Sequence, residues 1–221
     1  MRVTSAHSCA DSQADEPFGQ RRSIVLGMTA ASTGRSDGVV RIVFVCTGNQ
    51  ARSALAAALL RRHAGGLPVL VESRGTSAVH GAPVLSQMLV AGAALDLDLS
   101  DHRAALLGRG DLADADLVVG FEQYHVAAAV VDGGARRSRT FTLPELVELA
   151  QAPDDVTDVR ERVALVAEEA HARRAQGAPL EIDDPVGGTG EQFRATATQI
   201  DALVDALAKT ILGPVESRTP A

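Results

Sequence analysis

Cys46, Arg52 and Ser53 fall within the run Cys46-Thr47-Gly48-Asn49-Gln50-Ala51-Arg52-Ser53, which separates a largely apolar stretch from a helix-forming one. Gly48 and Asn49 tolerate backbone angles that most residues avoid, so a tight loop here can turn successive N–H groups inward into an anion-binding nest. The backbone of Thr47, Gly48, Asn49, Gln50 and Ala51 would form its wall, with Ser53 at its exit. The helix that follows brings the partial positive charge of its N-terminus to the same point. Arg52, in the first turn of that helix, can fork two N–H donors onto oxygens of one anion. The concavity fits a phosphate.

Cys46 lies at the base of this nest, and the groups that would hold a phosphate also favour a thiolate over a thiol. Ser53 can add a hydroxyl hydrogen bond to the sulfur. A nucleophile beneath an oxyanion clamp needs one further group, an acid that protonates the leaving oxygen. Asp184, in the loop 181–188 and stiffened by Pro185, is the candidate, with Asp183 as its neighbour and rival. Ordinary readings exist for each residue: a buried structural thiol for Cys46, a surface ion pair for Arg52, a common turn dipeptide for Asp184-Pro185. They explain the residues singly, whereas the nest explains the run as a whole.

Such a site needs a strand to deliver the cysteine and a helix to receive the arginine. The continuous apolar run 39–45 reads as a parallel strand covered on both faces. Further strands are expected over 68–72, 116–119 and 138–141, and helices over 53–63, 83–95, 122–132 and 143–150. Strand and helix in alternation imply βαβ units with right-handed crossovers, hence an α/β doubly wound, four-stranded parallel sheet with helices on both faces, Rossmann-like. In such sheets ligands sit beyond the carboxyl ends of the strands. The charged stretch 154–174 reads as an exposed helix. A last amphipathic helix over 191–212, with Leu203, Val204, Leu207 and Ile211 on one face, should close the core.

The 221 residues are 46% hydrophobic and 22% charged, enough apolar material for one compact core. A formal charge of −7 supplies no global positive field for a nucleic acid. No apolar run approaches a membrane span, so no membrane partner is expected. Residues 1–38 are polar and aperiodic and read as a disordered extension; 39–213 read as one catalytic domain, and 214–221 as a flexible tail. Arg21 and Arg22 precede an apolar segment too short for an export signal. The two cysteines, Cys9 in the leader and Cys46 in the motif, make no disulfide framework, and a cytoplasmic location is expected. The six histidines show no metal-ligand spacing with cysteine or acidic residues, so neither metal nor cofactor is expected.

The segment 41–212 resembles the low-molecular-weight protein tyrosine phosphatases. Cys46, Gly48, Asn49, Arg52 and Ser53 match that family's Cys-x-Gly-Asn-x-x-Arg-Ser loop, and Asp184-Pro185 matches its Asp-Pro loop near the C-terminus. Ser73 with Gly75-Thr76, and Ser100-Asp101-His102-Arg103-Ala104, match two further segments. The resemblance implies a cysteine-dependent phosphomonoester hydrolase working through a cysteinyl-phosphate, with Cys46 as nucleophile, Arg52 as clamp and Asp184 as general acid. It also implies that Ser73 and His102 hydrogen-bond Asn49 and hold its strained backbone. The implied substrate is a phosphorylated protein or a small phosphomonoester, and the implied partner a tyrosine kinase or its substrate.

Two departures stand out. Ala51 stands where relatives often carry a second cysteine, so an oxidised Cys46 would lack a nearby disulfide partner, and Val186 and Val79 stand where aromatic walls are expected, which bears on the substrate. Two other functions share these features: an arsenate reductase coupled to a small external thiol, and a catalytically silent phosphate-binding module.

Overall fold

A computed structural model describes residues 38–174 and 180–213. The expected N-terminal extension before Gly38, with Cys9, and the expected tail 214–221 lie outside the described residues. Four parallel strands, β1 (Val40–Cys46), β2 (Val69–Gly75), β3 (Leu117–Gly120) and β4 (Thr140–Thr142), form one sheet in the order β2-β1-β3-β4. Helices α1 (Arg52–Ala64), α2 (Ser86–Ala93), α3 (Gln123–Val131), α4 (Leu143–Leu149), α5 (Val159–Arg173) and α6 (Gly190–Leu212) connect and cover it.

The alternation of β1 explains why, apart from the half-buried Arg41, it reads as apolar sequence. Val40, Ile42, Phe44 and Cys46 point into the larger core with α1, α5 and α6, while Val43 and Val45 point into a smaller one with Leu112, Val118 and Ala129. A strand with a core on each face has no solvated side to mark with polar residues. β1 pairs with β2 on one side and β3 on the other, with Phe44 opposite both Ser73 and Val119. The chain leaves β1 for one neighbour and later returns on the other side, so the strand order switches at the carboxyl end of β1. That switch point is where doubly wound sheets hold ligands.

On α6, Val204, Leu207 and Ile211 are fully buried, as the spacing predicts, and Leu203 is half-buried. The stretch 154–174 differs from expectation. Its helix starts at Val159, and Val159, Val163, Val166, Ala167 and Ala170 are buried along one face. Even Arg162 is buried, donating to the carbonyls of Val156 and Thr210 at 2.7 and 2.9 Å. The high charge of the other face hides an apolar stripe at spacings of three and four.

Candidate active site

The loop from Cys46 to Arg52 curls around one side chain, Asn49, which has no solvent exposure and a backbone φ of 52°. An L residue in that region needs local support. Its Nδ2 donates to Ser53 Oγ at 2.9 Å and to Ser73 Oγ at 2.8 Å, its Oδ1 accepts from Ala105 N–H at 2.8 Å, and its carbonyl faces His102 Nε2 at 2.7 Å. Ser73 and His102 thus both hydrogen-bond Asn49. Burial and the neighbouring Arg61 and Arg103 push the His102 pKa down, partly offset by the Asn49 carbonyl; a neutral ring donates from Nε2 to that carbonyl.

Gly75 closes the loop from behind. A Cβ there would come within 2.7 Å of Thr47 O and 2.9 Å of Asn49 N, so only glycine lets the end of β2 touch the nest. The contact is stitched by Thr76 N–H to Cys46 O and Ser77 N–H to Thr47 O, both at 2.9 Å.

Cys46 Sγ is buried, 2.9 Å from Ser53 Oγ and 3.3 Å from the N–H of Asn49. A thiolate at this point accepts from both donors. The surrounding cavity, about 160 Å³, is lined by Cys46, Thr47, Gly48, Gln50, Ala51, Arg52, Leu85, Asp184 and Val186. Leu85 is held to the loop by its N–H on Gln50 O at 3.0 Å, while Gln50 Nε2 donates to Pro83 O at 2.7 Å. Val79, expected at a wall, is 72% exposed and does not line the cavity; Leu85 and Val186 are the cavity's apolar side chains besides Ala51.

Arg52 is 1% exposed and crosses from the nest to three partners. Its Nη1 pairs with the Glu122 carboxylate and donates to Ile182 O at 2.8 Å, while Nη2 lies 2.7 Å from Asp184 Oδ2. The Phe121 ring sits 5.8 Å from the guanidinium carbon. The Asp-Pro loop reaches this point because Ile182 N–H bonds Phe121 O at 2.8 Å and Thr142 Oγ1 donates to Leu180 O at 2.7 Å, zipping it along the ends of β3 and β4. Asp184 shares the cavity with Cys46 and Arg52; Asp183 lines a neighbouring depression instead.

Glu122 and His125 belong to the site and were absent from the sequence reading. They are the N-cap and third residues of α3, joined in a capping box: His125 Nδ1 accepts from the N–H of Glu122 at 3.1 Å. The proton therefore resides on Nε2, which lies 3.0 Å from Thr47 Oγ1 in the nest. Burial and the Arg52 cation push the His125 pKa down to about 4, with Glu122 and Asp184 pulling the other way. A capping pair directly after a strand that neighbours the cysteine strand was the signal available.

Among known proteins, the family model for low molecular weight phosphotyrosine protein phosphatase matches residues 41–162. The chain is 29% identical over 174 residues to a protein-arginine-phosphatase of Geobacillus stearothermophilus, covering 77% of this chain and 95% of that one. It is 30% identical over 167 residues to the low molecular weight protein-tyrosine-phosphatase PtpB of Staphylococcus epidermidis, covering 75% and 95%. Among solved structures, the YwlE arginine phosphatase, in a cysteine-to-serine mutant with a phosphorylated active-site serine, superposes with a TM-score of 0.61 at 25% identity, covering 81% of this chain and all of the other.

Proposed function

This chain belongs to the low molecular weight phosphotyrosine protein phosphatase family and is a phosphatase, and from that premise we propose that Cys46 is its nucleophile, Arg52 its phosphate clamp and Asp184 its general acid. The observation that carries this reading is the single cavity in which Cys46, the loop N–H groups, Arg52 and Asp184 converge.

In the first step the Cys46 thiolate attacks phosphorus, the bond from phosphorus to the leaving oxygen breaks, and Asp184 delivers a proton to that oxygen. In the second, water attacks the cysteinyl-phosphate, Asp184 accepts the water's proton, and the sulfur–phosphorus bond breaks to release phosphate. The phosphorylated serine in the YwlE mutant supports a covalent intermediate at the corresponding position. A phosphoryl dianion in the nest competes with Asp184 for Arg52 Nη2, now 2.7 Å from the carboxylate, and so frees that carboxylate to carry a proton. Glu122 keeps its hold on Nη1 and aims the fork. Thr47, Gly48, Gln50, Ala51 and Ser53 complete the phosphate cradle.

The substrate is a phosphorylated protein or small phosphomonoester, with phosphotyrosine as the first reading and a tyrosine kinase or its substrate as the partner. A second reading, phosphoarginine, is favoured by the named activity of one relative and by walls made of Leu85 and Val186 rather than aromatic rings. Asp184 could then face a departing guanidinium. A reducing cytoplasm is the compartment that suits a thiol nucleophile; no helix of the described residues is long and apolar enough to cross a membrane.

The test is a kinetic comparison of phosphotyrosine peptide, phosphoarginine peptide, phosphoserine peptide, phenyl phosphate, and arsenate with a small thiol. Turnover of a tyrosine or arginine phosphopeptide that disappears in Cys46→Ser is expected. Turnover of arsenate alone would overturn the reading in favour of a reductase, and phosphate binding without any turnover would leave a silent module.

A further inference from the structure

The amino ends of β1, β3 and β4 carry a second concavity, at the edge of the sheet opposite the nest. About 290 Å³ in volume, it is lined by Asp116, Arg136, Arg139, Arg160 and Ala164. Asp116 immediately precedes β3, Arg139 precedes β4 and Arg160 opens α5, so three separate elements deliver their charges to one place. Among the lining residues three guanidiniums face a single carboxylate, in a chain whose formal charge is −7.

That carboxylate meets two of the arginines at the long end of the ion-pair range. Asp116 is buried, and its Oδ2 accepts from the N–H of Arg41 at 2.9 Å. Its Oδ1 lies 3.5 Å from both Arg139 Nη1 and Arg160 Nη1. Charge-assisted contacts at full strength are ~2.7 to 2.9 Å, so Asp116 gathers these two guanidiniums at the long end of the ion-pair range, and each fork carries further N–H donors for an added anion. Sharing one oxygen keeps the two nitrogens no farther apart than twice that distance, a gap that a tetrahedral oxyanion can bridge with two oxygens. Arg160 is further fixed by donating to Val39 O at 2.6 Å. The Arg136 side chain makes no hydrogen bond or ion pair among the described residues, yet its backbone is anchored, its carbonyl accepting from Thr140 Oγ1 at 2.8 Å and Arg139 N–H at 2.9 Å. Just beyond, Arg137 and Arg174 both donate to Thr140 O, and of these Arg174 is paired with Glu145. Like charges held this close in a concave wall repel one another, and a dianion between them turns that repulsion into attraction.

We propose that this arginine pocket is a second anion site, which binds a phosphate group remote from the catalytic nest. Two sources share that chemistry: free inorganic phosphate, which is also the product released at the nest, and a phosphoryl group carried by a partner protein.

Equilibrium dialysis of the full chain against radiolabelled inorganic phosphate tests the first source. Two phosphates per chain are expected in the wild type and one in Arg136→Gln/Arg139→Gln, with aryl-phosphate turnover and competitive inhibition by phosphate unchanged in that variant. Arg52→Ala should remove the other site and leave the arginine pocket filled, so loss at the nest and loss at the pocket are read separately. Because Arg139 touches the buried Asp116, Arg136→Gln alone guards against misfolding; it should weaken the second phosphate about tenfold, the effect of one charge-assisted contact. The second source is tested by binding a phosphoserine peptide to Arg52→Ala. Binding that vanishes in the added Arg136→Gln/Arg139→Gln background, with free phosphate binding only at the nest, assigns the pocket to a protein-borne phosphoryl group. Phosphate and peptide binding both indifferent to Arg136 and Arg139 would overturn the proposal.

Discussion

On one side of Arg52 stands the nest, where Cys46, Asn49, Ser53 and Ser73 are buried and every polar atom of the Asn49 side chain is hydrogen-bonded. On the other stands the Asp-Pro loop, where Asp184 keeps about a third of its side chain exposed (35%) and Val186 more than half of its surface (57%). The nest is braced by β2, the 102–105 segment and α1 together, whereas the loop is held through Leu180, Glu181 and Ile182, through the Arg52–Asp184 ion pair, and at Thr189, the N-cap of α6. A phosphate clamp gains from being preorganised, because its donors then cost no reorganisation when the anion arrives. An acid that gives up its proton and later takes one back benefits from standing at the rim, in reach of both leaving group and water. The molecule buries the groups proposed to bind charge and leaves at the rim the group proposed to move protons.

The sharpest way to break that division is at the nucleophile. Cys46→Ser should lower phosphatase turnover on the order of 10⁶-fold, the scale seen when a covalent nucleophile is removed, while phosphate still binds in the unchanged nest. Surviving turnover, measured with phenyl phosphate after active-site titration, would remove Cys46 from the chemistry.

On the loop side, Asp184→Asn should slow basic leaving groups ~10²- to 10⁴-fold and an activated aryl phosphate much less, because a poor leaving group needs the proton more. Rapid mixing separates the first turnover from hydrolysis of the intermediate. Asp183→Asn should leave the first turnover untouched, since Asp183 lies outside the cavity. Equal slowing for basic and acidic leaving groups in Asp184→Asn would reject it as the acid.

The two sides also differ in how well the sequence announced them. The nest is local: Cys46, Asn49, Arg52 and Ser53 are near neighbours in the chain, and their types fix the geometry. Its distant braces, Ser73 and His102, were reachable only through the family resemblance. Glu122 and His125 show locally only the spacing of a capping pair; what brings them to Arg52 and Thr47 is the pairing of β1 with β3, a long-range fact. Leu85 escaped notice for the same reason: it reaches the cavity through one backbone bond to Gln50, where the sequence suggested Val79. The buried stripe of α5 was legible in Val159, Val163, Val166, Ala167 and Ala170 but lost beneath the charges between them.

His125 gives the nest a pH signature of its own. Its pKa falls from the ordinary ~6.5 to about 4 in the fold, so between these values the unfolded chain holds more proton than the folded one. Stability should therefore fall as pH drops through that window, by ~3 kcal/mol once both states are protonated. His102, lowered in the same direction, adds to the slope. Urea unfolding of wild type and His125→Asn across pH 4 to 7 isolates the His125 part, since asparagine keeps an acceptor for the Glu122 N–H. Identical pH slopes for the two proteins would show that His125 is not held neutral.

The smallest effect concerns the wall. Val186 and Leu85 both line the cavity, and neither side chain offers a ring face to a phenol. Val186→Tyr should supply one, and an offset aromatic pair is worth about 1 kcal/mol, so kcat/KM for phosphotyrosine peptide should rise about fivefold. The nest is untouched, so inhibition by inorganic phosphate should stay where it was. Phosphoarginine carries no phenol ring and should gain less, which makes the ratio of the two specificities the sensitive readout. Val79→Tyr is the paired control, because Val79 is 72% exposed and outside the cavity. A gain from Val79→Tyr equal to that from Val186→Tyr would mean that the substrate lies along 73–81 instead, and no gain from either would separate leaving-group recognition from the Asp-Pro loop altogether.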